Sequence, residues 1–196
     1  MLVKALEEQT IELSAIDTAV RARLLEDSEP DIAQRAHRLF QSPSDDRTKL
    51  IESYRDVLQM AGNRERGKKL FEDKCAKCHM QRRQGGRVGP DLSGVSNKTK
   101  EELLTSILNP SYAIEPRFVN YLVRTKDGSL HDGIIASETP GAITLRGGSE
   151  EGDETILRKN IAQIRASSIS LMPDDLEKSM THQGLADVIS YLRGGP

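Results

Sequence analysis

Both cysteines of this 196-residue chain lie in one pentapeptide, Cys75-Ala76-Lys77-Cys78-His79. A pair three positions apart cannot close a long, stabilising disulfide loop, so it indicates chemistry rather than cross-linking of the fold. Three kinds of site use such a pattern: a structural zinc site, a redox-active dithiol and the attachment site of a c-type haem. Each of them requires a different context in the rest of the chain.

The context of the pentapeptide favours the third kind of site. A structural zinc site needs four protein ligands, usually from a second Cys/His pair, but no second CxxC exists and His37, His131 and His182 are each isolated. A redox-active dithiol of the thioredoxin type would follow a strand in a βαβ unit, whereas here a charged helical segment precedes the motif. In haem attachment both thiols bond to the vinyl groups, and the adjacent His79 lies under the iron.

Hydrophobic periodicity divides the chain into four segments. In residues 1–63 the apolar positions recur at helical spacing, and RARLLEDSEPDIAQRAHRLF resembles one HEAT-like repeat. A single repeat of this kind needs a neighbouring repeat to bury its apolar faces. Residues 64–111 contain a helix leading into CAKCH, a Gly/Pro-rich loop and a helix stopped by Pro110. Residues 112–166 alternate with period two in four or five short strands, which predicts a small barrel or curled sheet. Residues 167–196 end in another amphipathic helix.

The composition is that of a soluble protein with modest cores, at 36% hydrophobic, 30% charged and 4% aromatic residues. No run reaches the roughly 18 apolar residues that a membrane span needs. The opening MLVKALEEQT is not a signal peptide, because acids and amides interrupt any apolar core. If the protein works outside the cytoplasm, a signal is therefore expected upstream of residue 1.

The charge is uneven along the chain. Residues 64–100 contain 11 basic and 4 acidic residues, whereas the whole chain has a net charge of −2. This excess of positive charge fits either a solvated face or a surface that docks a partner. We call the residues that carry it the basic block: Lys68, Lys69, Lys74, Lys77, Arg82, Arg83 and Arg87.

The passage GKKLFEDKCAKCH, followed by VGPDL, MP and LADVISYLRG, resembles the pattern of class I cytochromes c. In that family an N-terminal helix crosses a C-terminal helix at a small residue, with aromatic residues on either side. The resemblance implies that Gly67 and Phe71 meet Val188 and Tyr191. It also implies that the carbonyl of Pro90 accepts a hydrogen bond from the ring N–H of the proximal histidine.

The same resemblance implies which side chains bind the iron. His79 would supply one axial ligand, and Met172 in SLMPDDL lies where class I cytochromes hold their methionine, beside the stiffening Pro173. Met80 directly follows His79, so its side chain would lie on the same side of the haem as His79. It therefore could not be the distal ligand. Other options for the distal position are Met180, His182, His131 and an open site.

The order of motifs along nearly the whole chain resembles one more specific family. It is the haem-binding domain found at the C-terminal end of large secreted proteins of planctomycetes and verrucomicrobia. The implied fold is α+β: a class I cytochrome c-like helical fold with an inserted small β-barrel-like module, preceded by HEAT-like helices. Its domains would be residues 1–63, 64–111 with 167–196, and the inserted 112–166.

The implied function is single-electron transfer through one covalently bound haem c attached to Cys75 and Cys78. The chain itself would be an electron carrier rather than an enzyme, periplasmic or otherwise extracytoplasmic. It would accept electrons from a fused dehydrogenase domain or from a redox partner protein. The basic block predicts that this partner is acidic, and no binding of nucleic acid is expected. A haem enzyme or a gas or redox sensor with an open sixth site is the alternative, and a module that holds an assembly together is a third reading.

Overall fold

A computed structural model describes residues 2–8, 10–11, 16, 18–25, 27–40, 44–147 and 152–194. The α-helices are α1 (Leu2–Glu7), α2 (Thr18–Leu25), α3 (Pro30–Phe40), α4 (Ser44–Ser53), α5 (Arg64–Lys74), α6 (Lys100–Leu108) and α7 (His182–Arg193). The strands are β1 (Met80–Gln81), β2 (Gln84–Gly85), β3 (Tyr121–Thr125), β4 (Leu130–Glu138), β5 (Ala142–Gly147), β6 (Glu154–Leu157) and β7 (Ile161–Ala166). Short 3-10 helices lie at Arg55–Gln59, Leu92–Asn97, Pro116–Phe118, Arg158–Asn160 and Leu176–Ser179.

The chain divides into two compact units. One, here the sheet unit, consists of Met1–Asp45 and Val119–Leu171; the other, here the helical unit, consists of Asp46–Phe118 and Met172–Pro196. These units do not coincide with the segments predicted from the sequence. Residues 46–63 were expected to belong with the N-terminal helices but lie in the helical unit, as do residues 112–118, which were assigned to the β module.

The sheet unit is built on a five-stranded antiparallel sheet in the order β6-β5-β4-β3-β7. Val123, Ile143, Leu145 and Ile156 form its buried core, and buried residues in β3 and β5 alternate with more exposed ones as expected for strands covered on one face. Within the described residues β6 and β7 are edge strands, so the sheet is open rather than a closed barrel. The predicted turn at KDGS is present, with Gly128 at φ +90°.

Helices α1, α2 and α3 also belong to the sheet unit. Leu6 of α1 and Ala36 of α3 are buried together. Arg35 donates from Nε to Oε1 of Glu7 at 3.0 Å and from Nη2 to Oε2 at 2.5 Å, and this paired geometry fixes α3 against α1. Leu24 and Leu25 of α2 and Leu39 of α3 pack against the same cluster, and the HEAT-like arrangement stays a prediction.

The helical unit is organised around α5, α6 and α7, which share one core. Leu104, Leu108, Leu185 and Ile189 are among its fully buried side chains. Helix α6 begins with the capping box Thr99–Glu102, in which the two residues bond to each other's backbone N–H. None of the described helices has the length and apolar character that crossing a membrane requires.

Residues 46–62, which we call the N-terminal extension, are part of this same core. Val57 is buried in it, and Ile51, Tyr54, Leu58 and Met60 pack against it. Lys100 donates through Nζ to the carbonyl of Leu58 at 2.9 Å. The extension therefore belongs to the helical unit because it buries apolar side chains there, which local periodicity in the sequence does not reveal.

Candidate functional site

The CAKCH pentapeptide begins directly where α5 ends. The N–H of Cys75 donates to the carbonyl of Phe71 at 2.8 Å, which completes the last turn of the helix. The N–H of Cys78 and that of His79 both donate to the carbonyl of Cys75, at 3.1 and 2.9 Å. The backbone thus makes a turn within the pentapeptide, and both thiols are free and partly buried.

The Gly-rich loop that follows folds back on the pentapeptide. The N–H of Gly86 donates to the carbonyl of Ala76 at 2.7 Å, and that of Gly89 donates to the carbonyl of Cys78 at 2.8 Å. A Cβ on Gly86 would lie 2.0 Å from the carbonyl oxygen of Lys77. Such a close approach of two backbones is open to glycine alone, so GGRVGP is needed to close over CAKCH.

The imidazole of His79 is fixed by the same loop. Its Nδ1 lies 2.9 Å from the carbonyl oxygen of Pro90. Because a carbonyl only accepts, Nδ1 carries the proton and Nε2 keeps its lone pair. Burial lowers the pKa of His79 below its ordinary value, opposed by the hydrogen bond to Pro90, so the ring is neutral at neutral pH. Neutral imidazole with Nε2 unprotonated is the form that binds a metal.

The surroundings of the two thiols disfavour their thiolate forms. Burial, together with the charge of Cys78, raises the pKa of Cys75 to about 11, and burial also raises the pKa of Cys78. Redox-active and metal-binding cysteines are thiolates with lowered pKa values. In the part of the chain that the structure describes, no three His, Cys, Asp or Glu side chains are grouped as a metal site of their own would need.

Helix α5 crosses α7 at Gly67. A Cβ on Gly67 would lie 2.0 Å from the carbonyl oxygen of Asp187 and 2.9 Å from Cβ of Tyr191. The rings of Phe71 and Tyr191 lie beside this contact, with centroids 5.5 Å apart and planes inclined by 49°. Val188 lies in the same buried core as Phe71. The helix crossing expected at Gly67 is therefore confirmed.

Asp187 is buried at this crossing, with 2% of its surface exposed. Its carboxylate accepts four hydrogen bonds, which stabilise the contact between the two helices. It accepts from the N–H of Asn63 at 2.6 Å, from Nε and Nη2 of Arg66 at 2.7 and 3.1 Å, and from Nε2 of Gln183 at 3.0 Å. Burial alone would raise the pKa of Asp187, but the hydrogen bonds outweigh it and the pKa lies below its ordinary value.

The segment that carries Met172 packs on the core of the helical unit. Met172, Leu176 and Met180 are partly buried against it. Met80 lies in β1, which pairs with β2 in a two-stranded hairpin directly after His79. Met172 and Met180 thus pack on the core of the helical unit, whereas Met80 lies in the hairpin. The choice of Met172 as the ligand stays a prediction.

The two histidines considered as alternatives already have partners on the protein. Nδ1 of His182 lies 2.8 Å from Oδ1 of Asp56, and its ring stacks on Tyr54 with centroids 4.2 Å apart. His131, in β4 of the sheet unit, lies 2.8 Å from Oε1 of Glu154. His182 was expected to be solvated, but it is a partly exposed contact between α7 and the N-terminal extension.

The basic block lies on the surface around the pentapeptide, and all of its side chains are exposed. Lys68 pairs with Glu72 at 3.9 Å and Lys74 with Asp73 at 3.1 Å. Lys69, Arg83 and Arg87 have no ion pair with any residue that the structure describes. Much of the positive charge is therefore available to a partner or to solvent.

Residues 64–129 match the model of the family described as Cytochrome c. The chain contains a cytochrome c-like domain. Domains of this family carry covalently bound haem c, and the spacing of Cys75, Cys78 and His79 fits its attachment. Cytochrome c domains are generally electron carriers rather than enzymes, they work with a redox partner, and they are often extracytoplasmic. The matched region starts with α5 and ends in the turn before β4.

The chemistry of the side chains at this site suits a covalently attached haem. Two free thiols precede a histidine whose Nδ1 is hydrogen-bonded to the carbonyl of Pro90, which leaves Nε2 as the donor atom. Gly89 leaves the space that the ring occupies, since a Cβ there would lie 2.4 Å from Cε1 of His79. When bound, the haem iron supplies a one-electron couple.

Three positioning residues were not identified from the sequence. Gly89 was seen as part of a Gly-rich loop and of the VGPDL motif, but its contact with the ring of His79 was not predicted. Asp187 was hidden inside the apolar run of α7, where an acidic residue is out of pattern. Arg47 lies far from the motif in sequence and gives no local signal, yet it binds two carbonyls of the helical unit.

Proposed function

We propose that this chain is a c-type cytochrome domain for single-electron transfer, with haem attached at Cys75 and Cys78 and ligated by His79 and Met172. The observation that carries the proposal is the hydrogen bond between Nδ1 of His79 and the carbonyl of Pro90, at 2.9 Å. It orients a neutral ring and leaves Nε2 as the donor atom, directly after two cysteines at attachment spacing. A carbonyl partner also makes the imidazole a stronger ligand.

Two features support Met172 as the second ligand. Its segment precedes α7 and packs on the core that contains α5, so it belongs to the same unit as His79. Of the alternatives, His131 belongs to the sheet unit, whereas His79 and Met172 both belong to the helical unit. Histidine and methionine ligation favours ferrous iron and raises the reduction potential, and an iron with both positions filled has no site for a substrate.

The setting that we propose follows from the order of motifs. The chain would be the haem-binding domain of a large secreted protein of the planctomycete and verrucomicrobial type, working in the periplasm or outside the cell. Its electron donor would be a dehydrogenase, either in the same polypeptide or as a separate partner. Haem attachment to CxxCH takes place on the extracytoplasmic side, which agrees with this location.

The test uses holoprotein produced with c-type maturation. We expect the mass of the apoprotein plus one haem, resistant to acid–acetone extraction, and a weak band at the red end of the ferric spectrum from sulfur ligation. Met172→Ala should abolish that band, lower the potential and let carbon monoxide bind the ferrous iron. The matched controls are Met180→Ala and Met80→Ala, which remove a thioether of similar burial and should leave the band in place.

Other results would overturn parts of the proposal separately. Folded protein without haem would reject haem attachment. A spectrum unchanged by Met172→Ala but altered by His182→Ala or His131→Ala would reject the methionine. Carbon monoxide binding by the unsubstituted protein would favour an open sixth site, as in a haem enzyme or gas sensor.

A further inference from the structure

Arg47 in α4 joins two parts of the helical unit that are distant in sequence. Its Nη1 donates to the carbonyl of Leu108 at 2.9 Å and to the carbonyl of Asp174 at 2.5 Å. Leu108 is the last residue of α6, where carbonyls have no partner within the helix. Asp174 comes two residues after Met172. One guanidinium nitrogen thus uses both of its hydrogens to tie the methionine segment to the end of α6.

These bonds are suited to fixing a backbone position. Hydrogen bonds from a charged donor are shorter and stronger than neutral ones, and the Arg47 side chain is partly buried, which limits competition from water. The guanidinium is planar and rigid, so it holds its two acceptors at a defined separation. The carbonyl of Asp174 therefore accepts a hydrogen bond from a residue of α4, a helix outside the region that matches the cytochrome family.

The far end of the same segment is fixed in a different way. Leu176 and Met180 pack against the core, and the Thr181 side chain caps α7 by accepting from the N–H of Gly184 at 3.0 Å. Glu177 is 5% exposed, and its Oε2 has no hydrogen-bond partner. Burial raises the pKa of Glu177, opposed by its own backbone N–H and the nearby Arg47. Arg47 and Lys178 thus both supply positive charge near this buried carboxyl.

We propose that Arg47 is a positioning residue for the distal ligand: it holds the backbone around Asp174 so that the thioether of Met172 stays in one place. This inference rests on the proposed function, in which Met172 binds the iron. A ligand on a held backbone competes better against external ligands than one on a loose loop, because less freedom is lost when it binds. The N-terminal extension would thereby control how firmly the sixth position is closed.

The test compares three variants of the holoprotein. Arg47→Met keeps the apolar stem and removes the donors, and Arg47→Lys keeps a charged donor on a shorter, more mobile side chain. The control is Arg55→Met, because Arg55 is exposed and its ion pair among the described residues is with Glu52, three positions earlier, at 2.9 Å. Two quantities are measured in each: amide hydrogen exchange at residues 174–177 and the affinity of the ferric protein for imidazole.

We expect Arg47→Met to raise exchange in this segment and imidazole affinity at least about tenfold each, with Arg47→Lys intermediate and Arg55→Met unchanged. Exchange in α7 should stay the same, which separates local release from global destabilisation. If Arg47→Met matches Arg55→Met in both quantities, the inference is overturned. Faster exchange without higher imidazole affinity also overturns it, since Arg47 would then only stabilise the loop.

Failure of the proposed function gives a different result from failure of this inference. If Met172 is not the ligand, Met172→Ala leaves the red band and imidazole affinity unchanged, whatever Arg47 does. If Met172 is the ligand and Arg47 does not position it, Met172→Ala abolishes the band while Arg47→Met leaves the imidazole affinity unchanged.

Discussion

At the scale of single residues, the space beside His79 depends on the missing side chain of Gly89. A Cβ at this position would lie 2.4 Å from Cε1 and 2.7 Å from Nδ1 of the ring. Neither distance is compatible with the present placement, so the ring or the loop has to move. The same movement would stretch the hydrogen bond from Nδ1 to Pro90. Gly89 is therefore as specific a requirement as the histidine itself.

We expect Gly89→Ala to destabilise the holoprotein by about 1–3 kcal/mol, the usual cost of overpacking, and to shift the optical spectrum as the imidazole reorients. Denaturant unfolding monitored at the haem band measures both. Gly94→Ala is the control, because a Cβ on Gly94 would have no atom within 4 Å. Equal unfolding midpoints and equal spectra for the two variants would show that the loop adapts without cost.

At the scale of secondary-structure elements, Asp187 links α7 to the first turn of α5. It accepts from the backbone N–H of Asn63, which precedes α5, and from the side chain of Arg66 inside it. Because the carboxylate is buried, each donor that it satisfies also stabilises the angle at which the two helices cross. A neutral amide of the same shape could accept only part of this set.

Asp187→Asn should therefore lower the free energy of unfolding by about 1–3 kcal/mol at neutral pH. The pKa of Asp187 is lower in the folded protein than in the unfolded chain, so its stabilising contribution is full above the unfolded value of about 4 and is lost as the pH falls below it. Unfolding measured from pH 3 to 7 should show the variant and the unsubstituted protein converging at the acid end. A constant difference across this range would mean that the charge of Asp187 is not what stabilises the crossing.

How far the sequence predicts an element depends on whether its cause is local. The stop after α6 and the alternation in β3 depend on neighbours in sequence, and both were predicted. The β1–β2 hairpin was not, because its two turn residues are Arg82 and Arg83, at φ 51° and 67°. Arginine rarely adopts these left-handed values, so the sequence carried no turn signal there.

At the scale of the whole molecule, the CAKCH motif and its two flanking helices predicted the haem-binding part, whereas the division into units was not predicted. The boundary near residue 45 depends on Val57 and its apolar neighbours being buried against α7 and α6. Such burial joins residues that are distant in sequence, and a periodic pattern shows which face of a helix is apolar but not what covers it. The contact of Arg47 with Asp174 was hidden for the same reason.

The distribution of charge also belongs to this scale, since it acts on encounters with a partner before any contact forms. The net charge is −2 overall, yet the exposed basic block surrounds the haem attachment site in sequence. Its ion pairs with Glu72 and Asp73 are exposed, and pairs of that kind each contribute under about 1 kcal/mol to stability. Exposed charges act mainly on association rates, over a screening length of about 8 Å at physiological salt.

We therefore expect electron transfer with an acidic redox protein to slow steeply as ionic strength rises from low to physiological values. Reversing charge with Lys77→Glu and Arg83→Glu should flatten that dependence, because it removes the attraction that salt screens. Stopped-flow rates over a salt series measure it. Lys159→Glu, in the sheet unit, is the control: it changes the net charge by the same amount per substitution but lies outside the basic block. Rates indifferent to salt and to the reversals at 77 and 83 would assign the basic block to solvation alone and would require the partner to dock on another surface.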